Sequence, residues 1–183
     1  GHDAIAHMAR AVGFGRRTGM PIDYEVAGLV PDDGWKRRTI GEGWRAGDTC
    51  NMAIGQGALT VTPLQVAMMA ATIANGGRLF RPRLVIGTRA PGETRFRLRP
   101  PEITNRLHWD PDDLAVVREG MHRVIMAPDG TGSRARVPGV DAAGKTGTAE
   151  YGRKGQGLKY GWMIAFWPFE EPRYAAAIVI DRA

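Results

Sequence analysis

Ala142-Ala143-Gly144-Lys145-Thr146-Gly147-Thr148-Ala149-Glu150 is the stretch on which the reading of this 183-residue chain turns. Joined to Gly139, it satisfies the phosphate-loop pattern G-x-x-x-x-G-K-[ST], and Ala176-Ala177-Ile178-Val179-Ile180-Asp181 would then pass for an acidic, magnesium-holding strand. The surroundings decide against that. A phosphate loop follows an apolar strand and opens a helix whose first N–H groups cradle the anion. Here Arg134, Arg136 and Pro138 precede the motif, and Tyr151-Gly152, Gly155 and Gly157 follow it, so neither neighbour is in place. The alternative is an edge strand carrying Lys-Thr-Gly. Strand alternation puts Lys145 and Gly147 on one face and Thr146 and Thr148 on the other. Gly147, without a side chain, lets an acyl group lie against the backbone, and the Thr148 N–H beyond it can serve a developing oxyanion. Lys145 supplies positive charge for a proton relay or a substrate carboxylate.

Outward from this stretch, residues 161–169 and 173–181 are apolar or β-rich runs separated by Pro168 to Pro172, which predicts a strand pair buried on both faces. Tyr151 and Tyr160 flank a Gly-rich loop, read as a solvated hairpin. The clearest helix start is Thr62-Pro63-Leu64-Gln65, a reciprocal cap with proline in the first turn. Apolar or small residues follow to Ala74, and Asn75-Gly76-Gly77 ends the run. A helix apolar on every side is a buried one. A further helix is expected from Asp110-Pro111-Asp112-Asp113, with Leu114, Val117, Met121 and Val124 on one face. A short helix capped by Asp3 and stopped by Gly13 opens the chain, and residues 13–48 read as mostly irregular.

With 43% hydrophobic and 24% charged residues, the composition is that of a folded globular chain, which excludes a disordered tail or a collagen-like fibre. The single cysteine, Cys50, excludes an internal disulfide framework and a Cys-rich zinc site. No apolar run approaches the length of a membrane span. The net charge of +6 comes from one place. Residues 1–50 carry seven acids and seven bases, and residues 110–183 ten of each. Between them Arg78, Arg81, Arg83, Arg89, Arg95, Arg97, Arg99 and Arg106 face only Glu93 and Glu102. His2, His7, His108 and His122 are scattered and read as surface or helix-face residues, so no metal is expected. Trp162, Phe166 and Trp167 read as core. Gln56 and Gly57 read as a turn that shapes the fold.

Several strings occur together and in order: Gly13-Phe14-Gly15, Thr18-Gly19, Gly28-Leu29-Val30-Pro31, Trp35-Lys36-Arg37, Trp44-Arg45-Ala46-Gly47-Asp48-Thr49, Asn51-Met52-Ala53-Ile54-Gly55-Gln56-Gly57, Val61-Thr62-Pro63-Leu64-Gln65 and Ala74-Asn75-Gly76-Gly77. With the Lys145 stretch and the 162–168 strand they resemble the transpeptidase domain of class B penicillin-binding proteins over nearly the whole chain. The Ile-Gly-Gln-Gly form is nearest the elongation branch, penicillin-binding protein 2. The resemblance implies an α+β fold of the penicillin-recognising type, an antiparallel sheet flanked by helices, to which this chain brings three strands. It implies a serine D,D-transpeptidase acting on the D-Ala-D-Ala end of a peptidoglycan stem peptide, and trapped by β-lactams, with no cofactor. On that resemblance Lys145 tunes the proton relay, Thr146 and Thr148 hold the terminal carboxylate beside Gly147, and the Thr148 N–H is half of the oxyanion hole.

The family's Ser-x-x-Lys and Ser-x-Asn motifs have no counterpart. Ser133 is the only serine, in Ser133-Arg134-Ala135-Arg136, with no base beside it. Residues 1–183 therefore read as the C-terminal part of such a domain, lacking its nucleophile and closing helix and inactive alone. The expected setting is the periplasmic face of the inner membrane, anchored by an upstream segment, beside a membrane glycosyltransferase. Two rivals are a non-catalytic sensor or scaffold module and a basic nucleic-acid binder. Against the second, the 78–106 stretch has only Phe80 and Phe96 as aromatics and no recognised nucleic-acid motif, so no nucleic acid is expected.

Overall fold

The computed structural model describes residues 1–152 and 156–181. Residues 153–155, within the predicted hairpin loop between Tyr151 and Tyr160, lie outside the described residues.

Helix α1, His2–Ala11, starts two residues earlier than expected: Gly1 is the N-cap and Asp3 sits in the first turn, where its charge meets the positive helix end. It stops as predicted at Gly13, whose φ of +99° suits glycine and whose N–H donates to the Arg10 carbonyl at 3.0 Å. The stretch 13–48 is less irregular than expected, because it contains helix α2, Asp33–Ile40, and the start of helix α3, Ala46–Ala53. Asp32 caps α2 by accepting the Trp35 N–H at 2.7 Å, and Asp48 caps α3 by accepting the Arg45 N–H at 2.7 Å. Both helices are tied to neighbours by ion pairs, Arg10–Asp32 at 2.6 Å and Lys36–Asp48 at 2.6 Å. These contacts hold both carboxyls below their ordinary values. Asp32 owes this first to the Trp35 N–H and then to Arg10, whereas Asp48 owes it first to Lys36 and then to the Arg45 N–H.

Helix α4, Pro63–Ala74, is the predicted buried helix; after Pro63 every residue is buried or half-buried. Both bonds of its cap form: Gln65 N–H to Thr62 Oγ1 at 3.2 Å and Thr62 N–H to Gln65 Oε1 at 2.9 Å. The Gln65 amide also donates to the carbonyls of Arg16 and Ala27, each at 2.8 Å, so it fastens the preceding loops to the helix. Strand β1, Arg78–Phe80, then begins the arginine-rich segment. After it come β2, Gly87–Thr88, β3, Arg97–Leu98, and β4, Ile103–Arg106; β1 pairs with β4 and β2 with β3, both antiparallel.

Helix α5, Pro111–Met126, starts at Asp110, whose carboxylate accepts from the Asp112 and Asp113 N–H groups. Its buried residues are Met121 and Ile125. Val117, expected on the packed face, is 49% exposed, because the helix meets the sheet only along its second half.

The main sheet is three antiparallel strands in the order β5, Ala143–Tyr151, β6, Leu158–Trp167, and β7, Tyr174–Asp181. Helix α4 packs on β6 and β7, and α5 packs on β5. Val66, Ala70, Ala74, Met121, Ala143, Ile164 and Phe166 form the core between them. Arg118 stacks against Phe166 and Phe169 and donates to the carbonyls of Ala74 and Phe169, joining α5 to the end of α4. The expectation that the last two strands are buried on both faces fails at β7. Ala175 and Ala177 pack against the core, but Ile178 and Ile180 are more than half exposed, because α5 covers β5 and no described helix covers the outer side of β7.

Candidate active site

Strand β5 carries the Lys145 motif along the wall of a cavity of about 470 Å³. Lys145, Thr146, Gly147 and Thr148 all line it, and Ile54, Gly55, Gln56 and Gly57, with Phe14 and Met69, form the opposite wall. The structure therefore brings the four candidate residues into one trough. Among the described residues β5 pairs only with β6, which leaves this edge open.

Two glycines of the motif sit there for different reasons. A side chain on Gly144 would press on the Ile164 carbonyl, on the Ile125 side chain at 2.8 Å and on Met163 at 2.9 Å, so the packing of α5 onto β5 requires glycine. A Cβ on Gly147 would meet only Trp162, at an ordinary 3.4 Å. Neither packing nor backbone demands glycine at 147, so its open side is space left in the trough.

The motif's polar groups are anchored at its edges. Lys145 Nζ is exposed and donates to the Thr146 carbonyl at 2.6 Å. Thr146 Oγ1 lies 3.2 Å from Thr131 Oγ1, which ties β5 to the loop after α5. The Gln56 side chain reaches across and donates to the Thr148 carbonyl at 3.4 Å. Gln56 does lie in a turn, between Gly55 at φ +75° and Gly57 at φ +82°, as the sequence reading has it, but its side chain also spans the trough. The Gly-Gln-Gly spacing was the available signal for that, because two glycines free a polar side chain to project. Nothing in the sequence pointed to Thr131. Trp162 is half-buried and serves both core and trough, and Tyr151 and Tyr160, stacked at 4.1 Å, extend the lining toward the far end.

Ser133 does not line the trough. It opens a short 3-10 turn, Ser133–Ala135. His122 pairs with Asp141 at 2.6 Å and stacks on Phe169, away from the Lys145 motif. Among the described residues, no three or more His, Cys, Asp or Glu side chains are gathered as a metal site, and no helix is long and apolar enough to cross a membrane.

An open strand edge with a lysine, two threonines and an unobstructed glycine facing a glycine-flanked glutamine can hold an extended peptide by its backbone and bind a carboxylate. The family model described as the penicillin binding protein transpeptidase domain matches residues 1–183. The peptidoglycan D,D-transpeptidase MrdA of Acinetobacter baumannii is 35% identical over 192 residues, covering 98% of this chain and 28% of its own length. Among solved structures, penicillin-binding protein 2 of Helicobacter pylori superposes with a TM-score of 0.81 at 33% identity, covering 100% of this chain and 32% of that one. Penicillin-binding protein 2 of Pseudomonas aeruginosa, in complex with WCK 5153, gives 0.83 at 29% identity and covers 100% and 40%. The chain thus spans about a third of the length of the relatives it matches. Motif order, a mixed helix and antiparallel-sheet fold and these likenesses lead to one conclusion: the chain belongs to the penicillin-binding protein transpeptidase-domain family and is of the class B, penicillin-binding protein 2-like kind.

Proposed function

We propose that these residues form the substrate-holding half of a peptidoglycan D,D-transpeptidase, with the nucleophilic serine and its lysine carried by polypeptide outside the 183 residues. The observation that supports it is the trough: it has an open strand edge and a lysine but no serine in its lining. A stem peptide laid along β5 would place its terminal carboxylate on Thr146 and Thr148. The scissile carbonyl would then lie over Gly147, its oxygen facing the Thr148 N–H, where a developing oxyanion is stabilised by a fixed donor. Lys145 would lend positive charge to the relay that returns a proton to the departing D-Ala amine. The serine ester formed would pass its acyl group to an amine of a second stem, so the peptide bond lost is matched by the one made. β-Lactams would acylate the same serine.

On this reading the whole polypeptide works at the outer face of the inner membrane, held by an upstream anchor and accompanied by a polymerising glycosyltransferase. The relative from H. pylori is seen in complex with MreC, which offers a second partner class to test.

Labelling with a fluorescent penicillin separates the parts of the proposal. The isolated 183-residue chain should remain unlabelled, the natural polypeptide that contains it should be labelled, and Lys145→Ala in that polypeptide should slow labelling by roughly a hundredfold or more. A labelled isolated chain would refute the external nucleophile. A whole polypeptide that binds muropeptides but is never acylated would point to a sensor or scaffold instead.

A further inference from the structure

The excess of arginine lies on an exposed ribbon. Strands β2 and β3 pair with each other, and from Arg83 to Arg99 no residue is fully buried. The run Arg95-Phe96-Arg97-Leu98-Arg99 alternates in sequence; in β3 Arg97 and Leu98 face opposite sides, Leu98 stands opposite Gly87, and the Arg99 N–H donates to the Ile86 carbonyl at 2.9 Å, which sets Ile86 on the arginine side. An alternating strand ordinarily lays its apolar row on a core. This one does not: Phe96 and Leu98 are 60% and 71% exposed, and Leu84, Val85 and Ile86 on the approach to β2 are at least half exposed.

The two acids of the segment are already engaged, Glu93 with Arg97 at 2.7 Å and Glu102 with Arg81 at 2.7 Å. Among the described residues, Arg83, Arg89, Arg95 and Arg99 hold no carboxylate. The Arg83 guanidinium donates to the Arg99 carbonyl, and that of Arg89 lies 5.2 Å over the Phe96 ring, at the rim of the apolar face.

We propose that this ribbon is a docking surface for the anionic face of a lipid bilayer. Phe96 and Leu98 enter the boundary between headgroups and acyl chains, and the four uncompensated arginines reach lipid phosphates. The pairing of the two features selects the partner. A soluble polyanion would satisfy the charges and leave Phe96 and Leu98 in water. An apolar protein groove would take those side chains but would have to desolvate four guanidinium groups. A bilayer interface accepts both, because long cationic side chains extend from the apolar layer to the phosphates.

The test is vesicle flotation, using the natural polypeptide freed of any membrane-spanning segment and circular dichroism to confirm that each variant is folded. Vesicles of roughly one part phosphatidylglycerol to two parts phosphatidylcholine should bind it, and phosphatidylcholine alone should bind it much more weakly. Joint Arg95→Glu and Arg99→Glu substitution should weaken anionic binding roughly tenfold or more. Joint Phe96→Ser and Leu98→Ser should abolish the portion that survives high salt. Equal binding by wild type and the arginine variant, no binding to either vesicle, or retention by duplex DNA, peptidoglycan fragments or an acidic protein but not by vesicles would each overturn the proposal.

Discussion

Two glycines three positions apart, Gly144 and Gly147, separate what the fold requires from what the trough requires. Gly144→Ala pushes a methyl group into Ile125, Met163 and the backbone of β6 and should cost about 2 to 3 kcal/mol, seen as a lowered denaturation midpoint. Gly147→Ala meets only Trp162 at a comfortable distance, so stability should stay within about 0.5 kcal/mol. The penicillin acylation rate of the whole polypeptide should nevertheless fall by roughly tenfold, since the methyl group occupies space where the substrate backbone would lie. That Lys145 to Thr148 lie together on one strand was legible because strand alternation and a small residue at close approach have a local meaning. Thr131 and the reach of Gln56 were not, since both contacts join residues distant in sequence, 15 positions apart for Thr131 and Thr146 and 92 for Gln56 and Thr148.

Helix α4 was legible because its cap, its proline and its apolar run agree within a few positions. Helix α2 was not: Asp32-Asp33-Gly34 reads locally as a turn, and ion pairs from α1 and α3 hold it helical. Gln65 also does more than its cap position foretold. Gln65→Ala removes the reciprocal bond to Thr62 and leaves the Arg16 and Ala27 carbonyls without that donor, so it should destabilise by about 3 kcal/mol in urea melts. Thr62→Ala, which loses the cap alone, should cost about 1 kcal/mol. The acid side of the stability profile should come in part from α2 and α3. Asp32 and Asp48 have folded values below the ordinary 3.8, so as pH falls the unfolded chain takes up their protons first. Their contribution is complete above about pH 5 and is lost as pH drops below the ordinary value through the folded ones. Denaturant midpoints between about pH 6 and pH 3 should show that decline, and Asp32→Asn should flatten it.

Across the whole molecule, one helix covers one end of the sheet and a second covers the other, and Phe166 is where they meet. It is fully buried and touches the Arg118 guanidinium, so Phe166→Ala should cost about 4 kcal/mol. Ile178→Thr, on the outer side of β7, should change thermal stability by no more than about 0.5 kcal/mol. Sequence pattern foretold the apolar strands but not which of their faces the helices reach, because that depends on where α4 and α5 cross the sheet. The same arrangement has a mechanical consequence. Strand β5 is braced by α5 at Gly144 and bonded to β6 along its whole length, through Tyr151 opposite Leu158. The facing wall turns on Gly55 and Gly57, and a side chain at Gly55 would meet nothing within 4 Å. The width of the trough is therefore bounded by a braced strand on one side and a glycine turn on the other, and the Gln56 amide is a side-chain bond that spans the gap between them.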